Sequence, residues 1–269
     1  MNSLTDSSDF VYDFETVTGS LYHMDARRPI DRLLRYQKLL GNRMAWKDLE
    51  FEGKEILEFG CGPLLGWAPI ATYLGCERYF CVEPGLREEL VRSKEVTRRF
   101  FLPMYYQLDA LFERGLSFEQ FKTRLFERMQ PMSQPLEHCQ LPDKHVDLVY
   151  SNGVIQHVSD LENCFRQIQR ISRPDTRQFH VIHFADHHSP PDRPFDAIYS
   201  VSPEEYLVTR SLLNLKRPSE ILALFERHGL DVKLVPYYRD ERFSDKNLHP
   251  YWRRFSPDDL SIQFAFFVN

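Results

Sequence analysis

The run Lys54-Glu55-Ile56-Leu57-Glu58-Phe59, ending in Gly60-Cys61-Gly62-Pro63, constrains the fold more than any other stretch of this chain. Four to six mostly apolar residues closed by glycines read as a buried strand feeding a tight turn, where only a residue without a Cβ turns freely. A second apolar run, Tyr79-Phe80-Cys81-Val82, ends in Glu83, 23 positions after Gly60. An acid at about 20 residues from the glycine turn is placed to accept hydrogen bonds from a ribose diol at the carboxyl edge of a parallel sheet. Leu65 stands where the dinucleotide fingerprint G-x-G-x-x-G has its third glycine, so a pyrophosphate cradle is not specified.

A further block, Val146-Asp147-Leu148-Val149-Tyr150-Ser151-Asn152-Gly153-Val154-Ile155-Gln156-His157-Val158, reads as a fourth strand and the turn after it. A helix ending at Arg173-Pro174 follows, with Leu161, Cys164, Phe165, Ile168 and Ile171 on one face and Ser159 and Glu162 as a capping box. Between these blocks, the spacing predicts a helix over 65–74, starting late because Pro63-Leu64-Leu65-Gly66 prolongs the turn, and helical segments over 86–101 and 118–129. The third strand is expected at 133–139, the fifth at 179–185, a helix at 218–228, and two last strands at 232–237 and 262–268. Ahead of the first strand, Pro29 opens a helical pattern that Gly41 closes.

Taken together, the two blocks resemble the large family of S-adenosylmethionine (SAM)-dependent methyltransferases with a Rossmann-like fold. The resemblance covers about residues 54–185 and implies an α/β protein: a seven-stranded, mostly parallel sheet with helices on both faces and an antiparallel C-terminal strand. It implies one domain over 1–269, with an N-terminal helical cap (1–50), a cofactor-binding core (54–185) with a helical insertion (87–131), a substrate loop (186–217) and C-terminal helix and strands (218–269). Carried over residue by residue, it implies that Glu58, Gly60, Cys61 and Gly62 shape the pocket around the methionyl part of SAM. Glu83 would hold the ribose, Glu137 would lie near the adenine amino group, and Ser151 and Asn152 would edge the methionine moiety.

The methyl of SAM is already activated, so the protein chiefly brings a nucleophile into line, and no metal is demanded. A hydroxyl acceptor must lose a proton, and histidine is the usual base near neutral pH. Residues His180, His183, Asp186, His187 and His188 gather at and beyond the fifth strand, and the expected pair is His187 as base with Asp186 orienting it. Alternation puts His180 and His183 on opposite faces, against a metal cluster. His157 follows the fourth strand and is a third candidate, facing either the acceptor or a helix entrance. Asp186-His187 and the run Asn214-Leu215-Lys216-Arg217-Pro218-Ser219 look similar to methyltransferases of polysaccharide and glycan biosynthesis, which implies a sugar or phosphate near Asn214, Lys216 and Arg217.

The expected activity is therefore methyl transfer to a small-molecule or glycan acceptor, at oxygen. N-methylation of a small amine and a non-catalytic SAM-binding partner subunit stand as alternatives, and Leu65 disfavours a nicotinamide-dependent dehydrogenase. A net charge of -5 without a basic stripe argues against nucleic acid. The start lacks a basic, apolar leader and no run spans a membrane, so a cytoplasmic protein is expected. Five cysteines without a Cys-x-x-Cys pair indicate reduced, buried thiols. The oligomeric state is left open.

Overall fold

Glu55–Phe59 forms β1, with every residue after Glu55 buried, because a central strand covered on both faces has no position for a solvated side chain. The computed structural model describes residues 11–186, 189, 190, 192–209 and 213–269. Arg78–Val82 (β2) pairs parallel with β1, setting Glu58 opposite Cys81, and Met129–Met132 (β3) pairs parallel with β2. Val146–Asn152 (β4), Ser172–His183 (β5), Lys233–Arg239 (β6) and Ile262–Val268 (β7) complete a seven-stranded sheet of order β3-β2-β1-β4-β5-β7-β6. β7 runs antiparallel to both β5 and β6, so the predicted α/β class and the antiparallel end are both present.

Two strands differ from the sequence expectation. The third lies at Met129–Met132 rather than 133–139, and residues Leu136–His138 form a 3-10 turn instead. Helix Phe118–Arg128 passes directly into β3 with no connecting loop, and the edge position accommodates Pro131, which needs a ladder partner on only one side. The fifth strand begins at Ser172, seven residues earlier than 179, because helix Leu161–Ile171 likewise runs into it without a turn. Pro174 thus lies inside β5. The cap expected from Ser159 is made by Asp160, whose Oδ1 accepts the Asn163 N–H at 3.1 Å.

The chain forms two compact units, residues 1–150 with 170–176 and residues 151–169 with 177–269. In the first, the β2–β3 crossover carries helices Glu88–Val91, Lys94–Val96, Leu102–Phe112 and Phe118–Arg128. Tyr73 of helix Ala68–Tyr73 meets Tyr105 and Phe121 edge-on, at centroid distances of 6.3 and 6.0 Å. Helix Phe118–Arg128 opens on a capping box: Ser117 Oγ takes the Gln120 N–H and Gln120 Oε1 the Ser117 N–H. In the second unit, short helices Asp196–Tyr199 and Pro203–Thr209 bury Phe195, Ile198, Tyr199 and Tyr206 with Trp252 and Leu260. Among the described residues, no helix is long and apolar enough to cross a membrane.

Candidate functional site

β1 leaves the sheet at Gly60, whose N–H bonds to Val82 O at 2.7 Å and whose φ of 71° favours glycine. Gly62 follows at φ 67° with open space where a Cβ would stand. Its N–H donates to Glu83 Oε2 at 3.1 Å, and the Gly85 N–H reaches Oε1 at 3.4 Å. The acid at the end of β2 thus bridges the two turns that edge β1 and β2. Burial raises the Glu83 carboxyl above its usual range while the two N–H groups pull it down, so a charge is held there by backbone donors. Tyr12 crosses above: its N–H bonds to Gly85 O at 3.3 Å, and its phenol is raised by burial first and then by Glu83.

Deeper in the same unit lies Glu58, buried on β1. Oε2 accepts the Trp67 N–H at 2.8 Å and the Tyr79 hydroxyl at 2.6 Å. Trp67 precedes helix Ala68–Tyr73 and has no side-chain cap of its own, so Glu58 supplies one from a neighbouring strand. This explains the late helix start. The Trp67 indole stacks on Tyr150 at 3.8 Å and donates through Nε1 to Pro29 O at 3.1 Å.

Burial lifts the Glu58 carboxyl from 4.5 to about 7, against the Tyr79 and Trp67 hydrogen bonds that lower it. A folded-state pKa above the unfolded value means that the native protein binds the extra proton between those limits. Stability therefore falls as pH rises from about 4.5 to 7 and is level above, by roughly 3 kcal/mol in all. Glu58→Gln keeps an acceptor for both donors and carries no titrating proton. Urea unfolding at pH 5 and pH 8 should show the wild type losing stability relative to this variant across that interval, and parallel behaviour would exclude a titrating Glu58.

The turn between Gly62 and the helix holds a second constraint. Leu65 and Gly66 are both left-handed, at φ 68° and 52°, and a Cβ on Gly66 would overlap the Glu58 carboxylate. Gly66→Ala should therefore cost more than about 3 kcal/mol, or leave no soluble protein. The double variant Gly66→Ala/Glu58→Ala should recover part of that loss, so additive thermal shifts would contradict the clash.

Glu58, Gly60, Cys61, Gly62 and Glu83 thus share one locality of the first unit. Glu137 belongs to the same unit, half-buried on the 3-10 turn beyond β3. Sequence reasoning did not single out Trp67, Tyr79, Tyr12 as a Glu83 neighbour, or Arg32, which is half-buried and acts on Glu58 and Tyr150. A signal for Arg32 existed: a charge one turn from Pro29 and Tyr36 on the apolar side of its helix.

The other candidates belong to the second unit. Ser151, at the end of β4, is buried with Oγ 2.8 Å from His180 Nδ1, while His180 Nε2 meets Gln178 Oε1 at 3.0 Å. With the Gln178 oxygen as acceptor, Nε2 carries the proton and Ser151 donates to Nδ1. Burial pushes the imidazole down to about 3, so it is neutral. Asn152 is half-buried beside it, and His157 is exposed on the turn Ile155–His157. Asp186 is buried just past β5, accepting the Ser189 hydroxyl at 3.0 Å and donating its own N–H to Pro194 O. His187 and His188 lie outside the described residues.

Two of the residues expected at a sugar or phosphate are engaged elsewhere. Asn214 Nδ2 donates to Ile155 O and Val158 O, fastening the turn after β4. Arg217 is buried, and its guanidinium donates to the carbonyls of Phe184, Asp259, Leu260 and Ile262. Lys216 pairs with Glu220 at 3.1 Å.

Residues 23–235 match the family model described as a methyltransferase domain. A search of the curated proteins gave no significant match. Among solved structures, one described as an S-adenosylmethionine-dependent methyltransferase from Listeria monocytogenes superposes with a TM-score of 0.50 at 10% identity, covering 90% of this chain and 96% of its own. S-adenosylmethionine-dependent methyltransferases from Mesorhizobium loti (13% identity, 91% and 98% coverage, TM-score 0.49) and Aquifex aeolicus (12%, 96% and 98%, 0.47) are also similar. At such identities the likeness concerns the fold.

Proposed function

Because the chain belongs to the methyltransferase-domain family, whose model takes in residues 23–235, and is thereby an S-adenosylmethionine-dependent methyltransferase, we propose that its cofactor is held at the Glu83–Gly62 locality and that the acceptor is a hydroxyl of a small molecule or glycan. The observation that carries the cofactor half is the Glu83 carboxylate bracketed by the Gly62 and Gly85 N–H groups. A carboxylate has about four lone-pair sites, so two amide donors leave room for both hydroxyls of a ribose. Open space at Gly62 lets backbone approach the ligand closely.

SAM supplies an activated methyl on a sulfonium when bound. Glu83 fixes the ribose, Gly60 and Gly62 let the chain pass close beneath the cofactor, and Glu58 offers Oε1 to the methionyl ammonium while Oε2 stays with Tyr79 and Trp67. Ser151 and Asn152, at the carboxyl end of β4, are assigned to the methionine edge, with the Ser151 rotamer fixed by neutral His180. Asp186 is assigned to orient the base, His187. The engagement of Asn214 and Arg217 with carbonyls moves recognition of a glycan, where that is the acceptor, to other groups.

Calorimetric titration with SAM, S-adenosylhomocysteine and NAD tests the reading. The two adenosyl sulfur compounds should bind and NAD should not. Folded protein that binds neither of the two would overturn it, whereas binding justifies a methyl-transfer screen starting from hydroxylated small molecules and sugars.

A further inference from the structure

Half of the large hydrophobic side chains exposed among the described residues fall between positions 11 and 34: Val11, Phe14, Leu21, Tyr22 and Leu34. Leu21 is 88% exposed and Tyr22 62%, yet the turn that carries them is fastened, because the Met24 N–H bonds to Ser20 O at 3.0 Å and Met24 and Ala26 are buried. Rings tie the stretch together and to the next helix. Tyr12 and Tyr22 both meet His23 edge-on, at 6.2 and 5.3 Å, and the Arg28 guanidinium covers Tyr22. Single exposed apolar residues are ordinary, whereas a group of them held out by an ordered turn marks a contact surface.

The charge around these side chains is of one sign. Residues 27–47 hold seven cations and one acid, a net of +6, in a chain of net -5, so all the other residues together carry -11. In the linear sequence the cations are spaced by apolar residues and form no run. Helix Arg28–Gly41 lines them up: Arg27, Leu34 and Lys38 fall along its solvent side with Arg35 beside them, while Ile30, Leu33, Tyr36 and Leu40 are buried. Asp31, the one acid, sits in the first turn, where the helix N-terminus favours it. Arg27, Arg28, Arg35 and Lys38 have no carboxylate within ion-pair distance among the described residues, whereas Lys47 pairs with Glu50 at 2.7 Å.

We propose that this face docks on an anionic lipid bilayer, with the cations at the headgroups and Leu21, Tyr22 and Leu34 dipping into the interface. Each cation near a negatively charged surface adds to the attraction within a screening length. The exposed leucines favour this partner over nucleic acid, whose outer surface is phosphate and sugar. The chain lies on such a surface and does not span it. Docking goes beyond the cofactor reading and does not depend on it. Tyr12 of the same stretch bonds through its N–H to Gly85 O, so the docked face borders the Glu83 turn.

The test is co-sedimentation of the full chain with vesicles. It should pellet with vesicles of equal parts phosphatidylglycerol and phosphatidylcholine, and bind phosphatidylcholine alone at least about ten-fold more weakly. Raising salt from about 0.1 to 1 M, which shortens the screening length from about 10 to 3 Å, should weaken the anionic binding at least about ten-fold. Arg27→Glu/Arg35→Glu/Lys38→Glu should lose about ten-fold or more, and Leu21→Ser/Leu34→Ser about three- to ten-fold, both melting near wild type. Equal binding to the two vesicle types, no binding to either, or anionic binding that survives the charge reversal overturns the proposal. Unchanged affinity of Leu21→Ser/Leu34→Ser would leave charge attraction without a docked face and also overturn it. So does binding of a nucleic acid duplex without vesicles, which assigns the face to nucleic acid. A dimer that forms without vesicle binding and that Leu21→Ser/Leu34→Ser dissociates assigns it to a second copy and has the same consequence. The vesicle and salt comparisons use wild type alone and stand if the variants fail to fold.

Discussion

Glu83→Ala should weaken S-adenosylhomocysteine binding between about 30- and 150-fold, from the loss of charge-assisted hydrogen bonds to the ribose diol worth about 2–3 kcal/mol net. The same carboxylate also holds Gly62 and Gly85, so the substitution loosens both turns as well as removing an acceptor. A ligand change separates the two effects. Wild type should discriminate against 3′-deoxy-S-adenosylhomocysteine, and Glu83→Ala should lose most of that discrimination. If the variant bound the cofactor product as well as wild type does, the ribose assignment would be wrong. If it bound more weakly but kept the full preference for the intact diol, Glu83 would be a brace between turns and the ribose would be held by another group.

A large loss of stability is also expected at Arg217. Its guanidinium donates to four backbone carbonyls, from the residue after β5, helix Pro257–Leu260 and the first residue of β7. The rings of Phe184, Phe195 and Tyr199 lie 5.3–5.5 Å from its central carbon. Replacing a buried ion pair by apolar residues is often harmless because both charges disappear together. Here the partners are main-chain carbonyls, which remain when the arginine is removed. Arg217→Met should therefore cost roughly 3–5 kcal/mol and lower the melting temperature on the order of 10 °C. Lysine has one ammonium in place of a planar fork and should recover little. Urea unfolding of both variants gives the number, and a loss below about 1 kcal/mol would mean that the four carbonyls find other partners.

This residue also shows where a linear reading goes astray. In sequence, Asn214, Lys216 and Arg217 form a polar, basic stretch at a helix entrance, like many ligand-binding loops. Whether such a side chain meets solvent, ligand or backbone is set by residues more than thirty positions away: Phe184 and Asp259 for Arg217, Ile155 and Val158 for Asn214. The strands misplaced at 133–139 and 179–185 have a related origin. Helices Phe118–Arg128 and Leu161–Ile171 pass into strands without glycine or proline between them, so no local signal marked the change.

What the sequence determined by itself is the part governed by short-range rules. Gly60 and Gly62 had to turn where residues with a Cβ resist turning, apolar runs of five to seven residues had to be buried, and Glu83 had to end the second strand. The first two strands and the turn between them follow from these and from their order, and it is the resemblance carried by these same residues that implies the cofactor class. Tertiary structure alone decided what Glu58 and Arg32 do. On β1, Glu58 reads as an acid within a buried strand; the fold brings it Tyr79 from the parallel neighbour, Trp67 from the helix entrance and the field of Arg32 from the N-terminal helix. A carboxyl group's charge state depends on the donors and the dielectric around it, and those come from residues distant in the chain, assembled only when the sheet and its covering helices pack.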